Sequence, residues 1–299
     1  MGVIRYGRTA AGVFIAILIA CGGVAAIVVE RSYRGARTEL EADPPSPLLK
    51  NPQSTGVANL QAVSFVSADG LRIAGWYVPS KNRAAVIVAH GTNSDRSTML
   101  SEIRLLAESG FGVLAFDWPG LGESAGPLTW GAEARNALGA AIAWVAARDD
   151  VDHDRIGGLG FSMGGALMAQ VAPADPRLRA VVLEAAPSSF DRFIDIHFSK
   201  WHFLSEWPAR FAWRGSDLLS AGRAPVRKIG SISPRPLLII GQTEDPVIPA
   251  SMERELFAAA GEPKTLWLIE GDEHGGFAQI AGAEYGRRLQ AFFAAGLLQ

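Results

Sequence analysis

The sequence predicts an α/β domain, a parallel sheet covered by helices on both faces, behind an N-terminal appendage. Three observations carry this. Short, wholly apolar runs at 84–89, 112–116 and 156–159 read as strands buried on both faces, and helical patterns separate them. Glycine-rich turns follow these runs, as expected where parallel strands hand over to helices. With 299 residues, 48% of them apolar, the chain is long enough for one large core.

Composition narrows the function classes. A net charge of −2 offers no basic field, so nucleic acid is not an expected partner. Cys21 is the only cysteine, which excludes an internal disulfide and a cysteine-based metal site. No internal repeat or low-complexity tract is evident.

The N-terminus has a character of its own. The uncharged apolar run 10–29 would make about 30 Å of helix, enough to cross a bilayer core. Arg5 and Arg8 precede it, and Arg31, Arg34 and Arg37 follow. Residues 1–30 are therefore expected to form a single membrane anchor, with nearly balanced arginines leaving its orientation open. Two alternatives stand beside this: Leu18-Ile19-Ala20-Cys21 is similar to a lipoprotein cleavage box that would lipidate Cys21, and a cleaved signal segment would give a secreted chain. Residues 31–59 carry Pro44, Pro45, Pro47 and Pro52 and read as a stalk. The globular domain is expected over 60–299.

Within that domain the elements follow in order. Runs 61–67 and 71–78 alternate around Asp69-Gly70, the signal for a β-hairpin. Strand 84–89 precedes a helix at 97–109, and strand 112–116 a helix at 130–148. After the run at 156–159 come a helix, strand 180–183, an insertion at about 188–234, strand 236–240, helix 250–260, strand 265–269 and a last helix at 277–293.

The stretch Gly160-Phe161-Ser162-Met163-Gly164 is G-x-S-x-G placed between a buried strand and a helix. A turn that sharp needs small residues on either side of its centre, and it presents Ser162 at the strand tip as a nucleophile. The helix start aims the free N–H of Met163 at any oxyanion formed there. Gly122-Glu123-Ser124-Ala125-Gly126 matches the same pattern. Pro119, Gly120 and Pro127 around it rule out a strand before or a helix after, so Ser124 is set aside.

A serine hydroxyl needs a base, most often a histidine oriented by a carboxylate. Functional groups of a parallel α/β sheet collect at the strands' carboxyl ends. There lie Glu244-Asp245-Pro246 after strand 236–240 and Asp272-Glu273-His274 after strand 265–269. Ser162, His274 and Asp245 are the expected nucleophile, base and acid, with Glu244 or Asp272 as alternative acids. The second oxyanion donor is expected to be the backbone N–H of Thr92, after strand 84–89, with Asn93 as runner-up. His90 is expected to orient that loop.

The insertion gathers Phe190, Phe193, Phe198, Trp201, Phe203, Trp207, Phe211 and Trp213. Phe203, Trp207 and Phe211 share one helix face. Some of these rings are expected to pack a small lid and others to line an apolar pocket over Ser162, with Phe198, Trp201 and, from its neighbouring loop, Trp118 as candidates.

Taken together, His90-Gly91, the loop 117–126, the Ser162 elbow and the Asp245 and His274 loops resemble the α/β-hydrolase superfamily, over roughly residues 60–299. With its N-terminal run, the chain is also similar to membrane-anchored α/β-hydrolase-domain serine hydrolases. The resemblance implies an eight-stranded, mostly parallel sheet with a small helical lid and a Ser-His-Asp hydrolase needing no metal or organic cofactor. The expected reaction is cleavage of carboxylic esters or thioesters of a small molecule with an apolar acyl part, through an acyl-enzyme. A peptidase or amidase of the same fold is one alternative, and a non-catalytic membrane-tethered binding protein is another.

Overall fold

The structure, a computed structural model, describes residues 21–38, 49, 51–214 and 217–299. Eight strands form one sheet: β1 (Gln61–Val66), β2 (Arg72–Val78), β3 (Ala85–Ala89), β4 (Gly112–Phe116), β5 (Ile156–Phe161), β6 (Leu178–Glu184), β7 (Leu237–Gln242) and β8 (Lys264–Ile269). Their spatial order is β1-β2-β4-β3-β5-β6-β7-β8. β2 runs antiparallel to β1 and β4, and every other pairing is parallel. This is the expected mostly parallel eight-stranded sheet, and it puts β5 near the centre with its carboxyl end beside those of β3 and β6.

The sheet is buried on both faces because its strands alternate between two apolar layers. From β3, Ala85, Ile87 and Ala89 join one core and Val86 and Val88 the other. The first core is covered by α3 (Ala132–Ala146) and α4 (Met163–Val171), the second by α2 (Leu100–Glu108) and α10 (Ala283–Leu297). Such two-sided burial explains strands that read as continuous apolar runs. The last helix departs from expectation. It is broken at Gly282 into α9 (Phe277–Ile280) and α10, which turns α10 back along the sheet.

Between β6 and β7 the insertion folds as α5 (Phe190–His197), α6 (Phe203–Ala212) and α7 (Pro225–Lys228), with short 3₁₀ turns among them. α8 (Ala250–Ala259) joins β7 to β8. Phe203, Trp207 and Phe211 do share a face of α6, with neighbouring rings stacked at 6.2 and 5.5 Å. That face points outward, leaving the rings 72%, 53% and 48% exposed.

The N-terminus requires a correction. Among the described residues no helix is long and apolar enough to cross a membrane. Residues 10–20 of the expected span lie outside the described residues. Residues 21–38 form a helix, α1, which continues from the apolar run through Glu30, Arg31, Arg34 and Arg37, with Arg34 paired to Glu30 at 2.6 Å. Instead of leaving the domain, α1 packs on the insertion. Ala36 is fully buried, and the Tyr33 and Phe211 ring centroids lie 6.3 Å apart. The expected localisation through a single spanning segment is corrected accordingly: the described part of the run, 21–29, belongs to a helix that is not long and apolar enough to cross a membrane. Cys21 is an exposed residue of the same helix.

Candidate active site

β5 ends in a sharp elbow. Ser162 sits at φ 52° and ψ −116°, a left-handed conformation costing a non-glycine residue on the order of 1–3 kcal/mol. The surroundings hold it there. Its N–H donates to Glu184 O at 2.8 Å, and its carbonyl accepts from Ala166 N at 3.0 Å in the first turn of α4. A Cβ on Gly160 would overlap the backbone of Gly164, and one on Gly164 would overlap that of Ala89. Both positions therefore need glycine for close approach, not merely for flexibility.

Three loops converge on this elbow. Ser162 Oγ lies 3.0 Å from His274 Nε2, and His274 Nδ1 lies 2.8 Å from Asp245 Oδ2. Asp245 Oδ1 accepts from Val247 N at 2.7 Å and Ile248 N at 2.8 Å, which fixes the carboxylate before it meets the imidazole. The Asp245 side chain is fully buried and that of His274 is 20% exposed. Hydroxyl, imidazole and carboxylate thus stand in a row that can pass a proton from Oγ to Nε2. Glu244 and Asp272, the alternative acids, are both exposed, and the acid meeting the histidine is Asp245.

Met163 opens α4, so its N–H lies in the first turn, where helix geometry supplies no partner. Thr92 and Met163 line the same small pocket as Ser162. His90 supports the Thr92 loop from beneath. Its Nδ1 lies 2.8 Å from Gly91 O and its Nε2 accepts from Trp118 N at 3.4 Å, which defines an Nδ1-protonated ring. Burial pushes its pKa down to about 4, so the ring is neutral at pH 7.

The pocket residues need revision. The cavity beside Ser162 is walled by Pro187, Phe190, Phe193, Trp213 and Ile248. Trp118 is instead a fully buried core residue, its indole N–H donating to His90 O at 2.8 Å and its ring packed on Phe116. Phe198 and Trp201 line a separate groove with Val24 and Ile27 of α1, because the 3₁₀ turn Ser199–Trp201 faces that helix. The pocket aromatics do come from the insertion, but from its first helix and from the end of α6.

Ser124, the second pattern match, has a structural occupation. Its hydroxyl donates to Asp117 O at 2.7 Å and accepts from Ala74 N at 2.9 Å. Asp117 in turn is fully buried against Arg96, which also pairs with Glu123.

Several polar groups near the site carry no sequence signal. Gln242, at the end of β7, is fully buried against the His274 loop. On the other side of His274 a cavity of about 210 Å³ is lined by Glu102, Phe161, Glu184 and Phe277. The Tyr285 hydroxyl donates to Glu184 Oε1 at 2.5 Å and lies 3.0 Å from Glu102 Oε1. One hydroxyl has one proton, so making both contacts needs a proton on one of the two carboxyls. Burial pushes both carboxyls up, Glu184 further because Glu102 is beside it. Glu253 of α8 is fully buried and neither carboxyl oxygen has a hydrogen-bond partner among the described residues. Burial, and secondarily the charge of Asp245, push its pKa up to about 9. Among the described residues, only Asp152, His153 and Asp154 cluster closely enough to hold a metal ion, and they precede β5, at the end of the sheet opposite Ser162.

Comparison with known proteins fits this architecture. The family described as alpha/beta hydrolase fold matches residues 84–213. The chain is 33% identical to the uncharacterized protein YfhR of Escherichia coli (strain K12), over 72% of this chain and 73% of that one. It is 32% identical to the uncharacterized protein Rv2307c of Mycobacterium tuberculosis, over 69% of each. Among solved structures, the esterase Pf2001 of Pyrococcus furiosus superposes with a TM-score of 0.71 at 24% identity, covering 86% of this chain and 98% of that one. Acetyl xylan esterase 1 of Thermoanaerobacterium gives 0.61 at 20% identity, over 89% and 93%. Fold and family define a hydrolase. This chain belongs to the α/β-hydrolase fold family.

Proposed function

We propose that this hydrolase cleaves carboxylic esters or thioesters through an acyl-enzyme, with Ser162 as nucleophile, His274 as general base and acid, and Asp245 orienting His274. The observation that carries the reading is the row of contacts at 3.0 and 2.8 Å joining the three side chains. Ser162 Oγ attacks the carbonyl carbon as its proton passes to His274 Nε2. The carbonyl oxygen becomes an oxyanion facing the N–H groups of Met163 and Thr92, each such donor commonly worth about 10²–10³ in kcat. Collapse breaks the bond to the leaving alkoxide or thiolate, which takes the proton from His274. Water then attacks the acyl-enzyme by the same route and releases the acid and free Ser162.

In this reading residues 60–299 form the catalytic domain and the insertion at about 188–234 its lid. The substrate is a small molecule whose acyl part is apolar, since the cavity next to Ser162 is walled by proline, aromatic and aliphatic side chains. The two structural relatives are esterases, which supports this choice among the reactions the fold hosts.

The test is labelling by a fluorophosphonate probe together with a panel of p-nitrophenyl esters, thioesters and aminoacyl anilides. Labelling of the wild type that is lost in Ser162→Ala is expected, as is turnover by the wild type of esters and thioesters but not anilides. Undiminished labelling of Ser162→Ala removes the nucleophile, and preferential anilide cleavage makes the enzyme an amidase.

A further inference from the structure

We infer that the acyl pocket accepts only short chains and that Trp213, held in place by the N-terminal helix, sets the limit. The inference rests on the acyl-enzyme reading above and adds to it the class of acyl group and the residue that selects it.

The cavity beside Ser162 has a volume of about 40 Å³. Benzene fills an apolar cavity of about 150 Å³, or about 25 Å³ per carbon. The pocket therefore has free space for about two carbons beyond an acyl carbonyl, the size range from acetyl to butyryl. A longer chain must displace a wall or extend through the pocket's open side into solvent, where its apolar carbons gain no burial.

The wall most firmly anchored is Trp213. It caps α6, is 2% exposed, and lies 5.6 Å from Phe190 edge-on and 5.9 Å from Phe193 in a stack, centroid to centroid. A buried indole N–H is stabilised by an acceptor. Here the acceptor is the carbonyl oxygen of Ala36 in α1, at 2.7 Å and 177 positions away in the chain. Ala36 is itself fully buried, so water cannot replace that bond without α1 lifting from the lid. Swinging Trp213 aside to lengthen the pocket would strand its N–H and break two ring contacts. The N-terminal helix thus acts on specificity through one hydrogen bond to the ring that closes the pocket.

The test uses the full chain and measures kcat/KM for p-nitrophenyl acetate, butyrate and octanoate. The wild type is expected to fall at least about tenfold from butyrate to octanoate, the scale of discrimination a closed apolar pocket supplies. Trp213→Ala should raise the octanoate-to-butyrate ratio at least about tenfold. Trp213→Phe keeps a ring but loses the link to Ala36 and should raise the ratio by a smaller factor. Phe193→Ala, at a half-buried wall position, should move it in the same direction and decides the matter if Trp213→Ala does not fold. A wild type that cleaves octanoate as well as acetate overturns the inference while leaving the esterase reading intact. So does an unchanged ratio in Trp213→Phe and Phe193→Ala. A wild type inert towards every ester removes both.

Discussion

Gln242 holds the backbone on both sides of His274. Its Oε1 accepts from Glu273 N at 3.0 Å and its Nε2 donates to Gly275 O. The amide is fully buried at the end of β7, the strand that also leads to Asp245. One side chain therefore ties the loop of the proposed base to the strand of the proposed acid, and an ionised carboxylate could not make both bonds because it has no proton to donate.

The expected consequence is a catalytic rather than a purely structural defect. Gln242→Leu should lower kcat by about 10- to 100-fold with KM little changed, the range that a misplacement near 1 Å produces. Gln242→Glu should approach wild-type kcat at low pH, where its protonated carboxyl can still donate to Gly275 O, and fall as it ionises. pH–rate profiles of both variants check this. A lowered melting temperature with unchanged kcat in both would reduce Gln242 to a packing residue.

Glu253 predicts how stability depends on pH. Its carboxyl, ordinarily at 4.5, is pushed up to about 9 in the folded chain. The folded state then binds a proton that the unfolded chain releases across that interval. Stability from this group is fully present below 4.5 and is lost as pH rises towards about 9, by up to about 1.4 kcal/mol per pH unit. Glu253→Met removes the ionisable group at similar volume. Its advantage over the wild type in urea denaturation should widen between pH 5.5 and pH 8, and an equal difference at both would contradict the assignment.

The two G-x-S-x-G serines should separate cleanly. Ser124→Ala breaks a part-buried pair of hydrogen bonds to Asp117 and Ala74 and should cost about 0.5–1.5 kcal/mol of stability. Fluorophosphonate labelling of folded Ser124→Ala should match the wild type. Lost labelling there would give this loop a chemical role.

Arg96 should be more costly. It is 2% exposed and joins buried Asp117 to Glu123, with its guanidinium 4.7 Å above the Trp76 ring. Arg96→Met leaves Asp117 buried and unpaired and should destabilise the fold by about 3–5 kcal/mol. Arg96→Met combined with Asp117→Asn should recover part of that loss, measured by chemical denaturation.

These residues also mark where sequence reading reached and where it stopped. The elbow was legible because strand, glycines and helix are neighbours in the chain, and the same local context set Ser124 aside. Asp245 and His274 were legible because a parallel sheet brings the carboxyl ends of its strands to one edge. Gln242 was hidden, since nothing in a strand-terminal glutamine tells which distant loop it will grip. Glu102, Glu184 and Tyr285 come from α2, β6 and α10, and their closeness exists only once those elements cover the same face.

The N-terminus and the lid show the same boundary from the side of error. Hydrophobicity in residues 10–29 measured a tendency to leave water without saying which surface would receive the chain, and the part of α1 that packs on the insertion lies beyond that run, at Tyr33 and Ala36. The aromatic rings of the insertion carried the chemistry of a pocket, yet a helix turn decided that Phe193 and Trp213 would face Ser162 while Trp201 and Phe203 would not. The sequence by itself determined the elements, their order and the residue types at the strand ends, because these follow from short-range pattern and chirality. Only the tertiary structure decided which carboxylate meets the imidazole and which ring closes the pocket, because those choices depend on contacts between segments far apart in the chain.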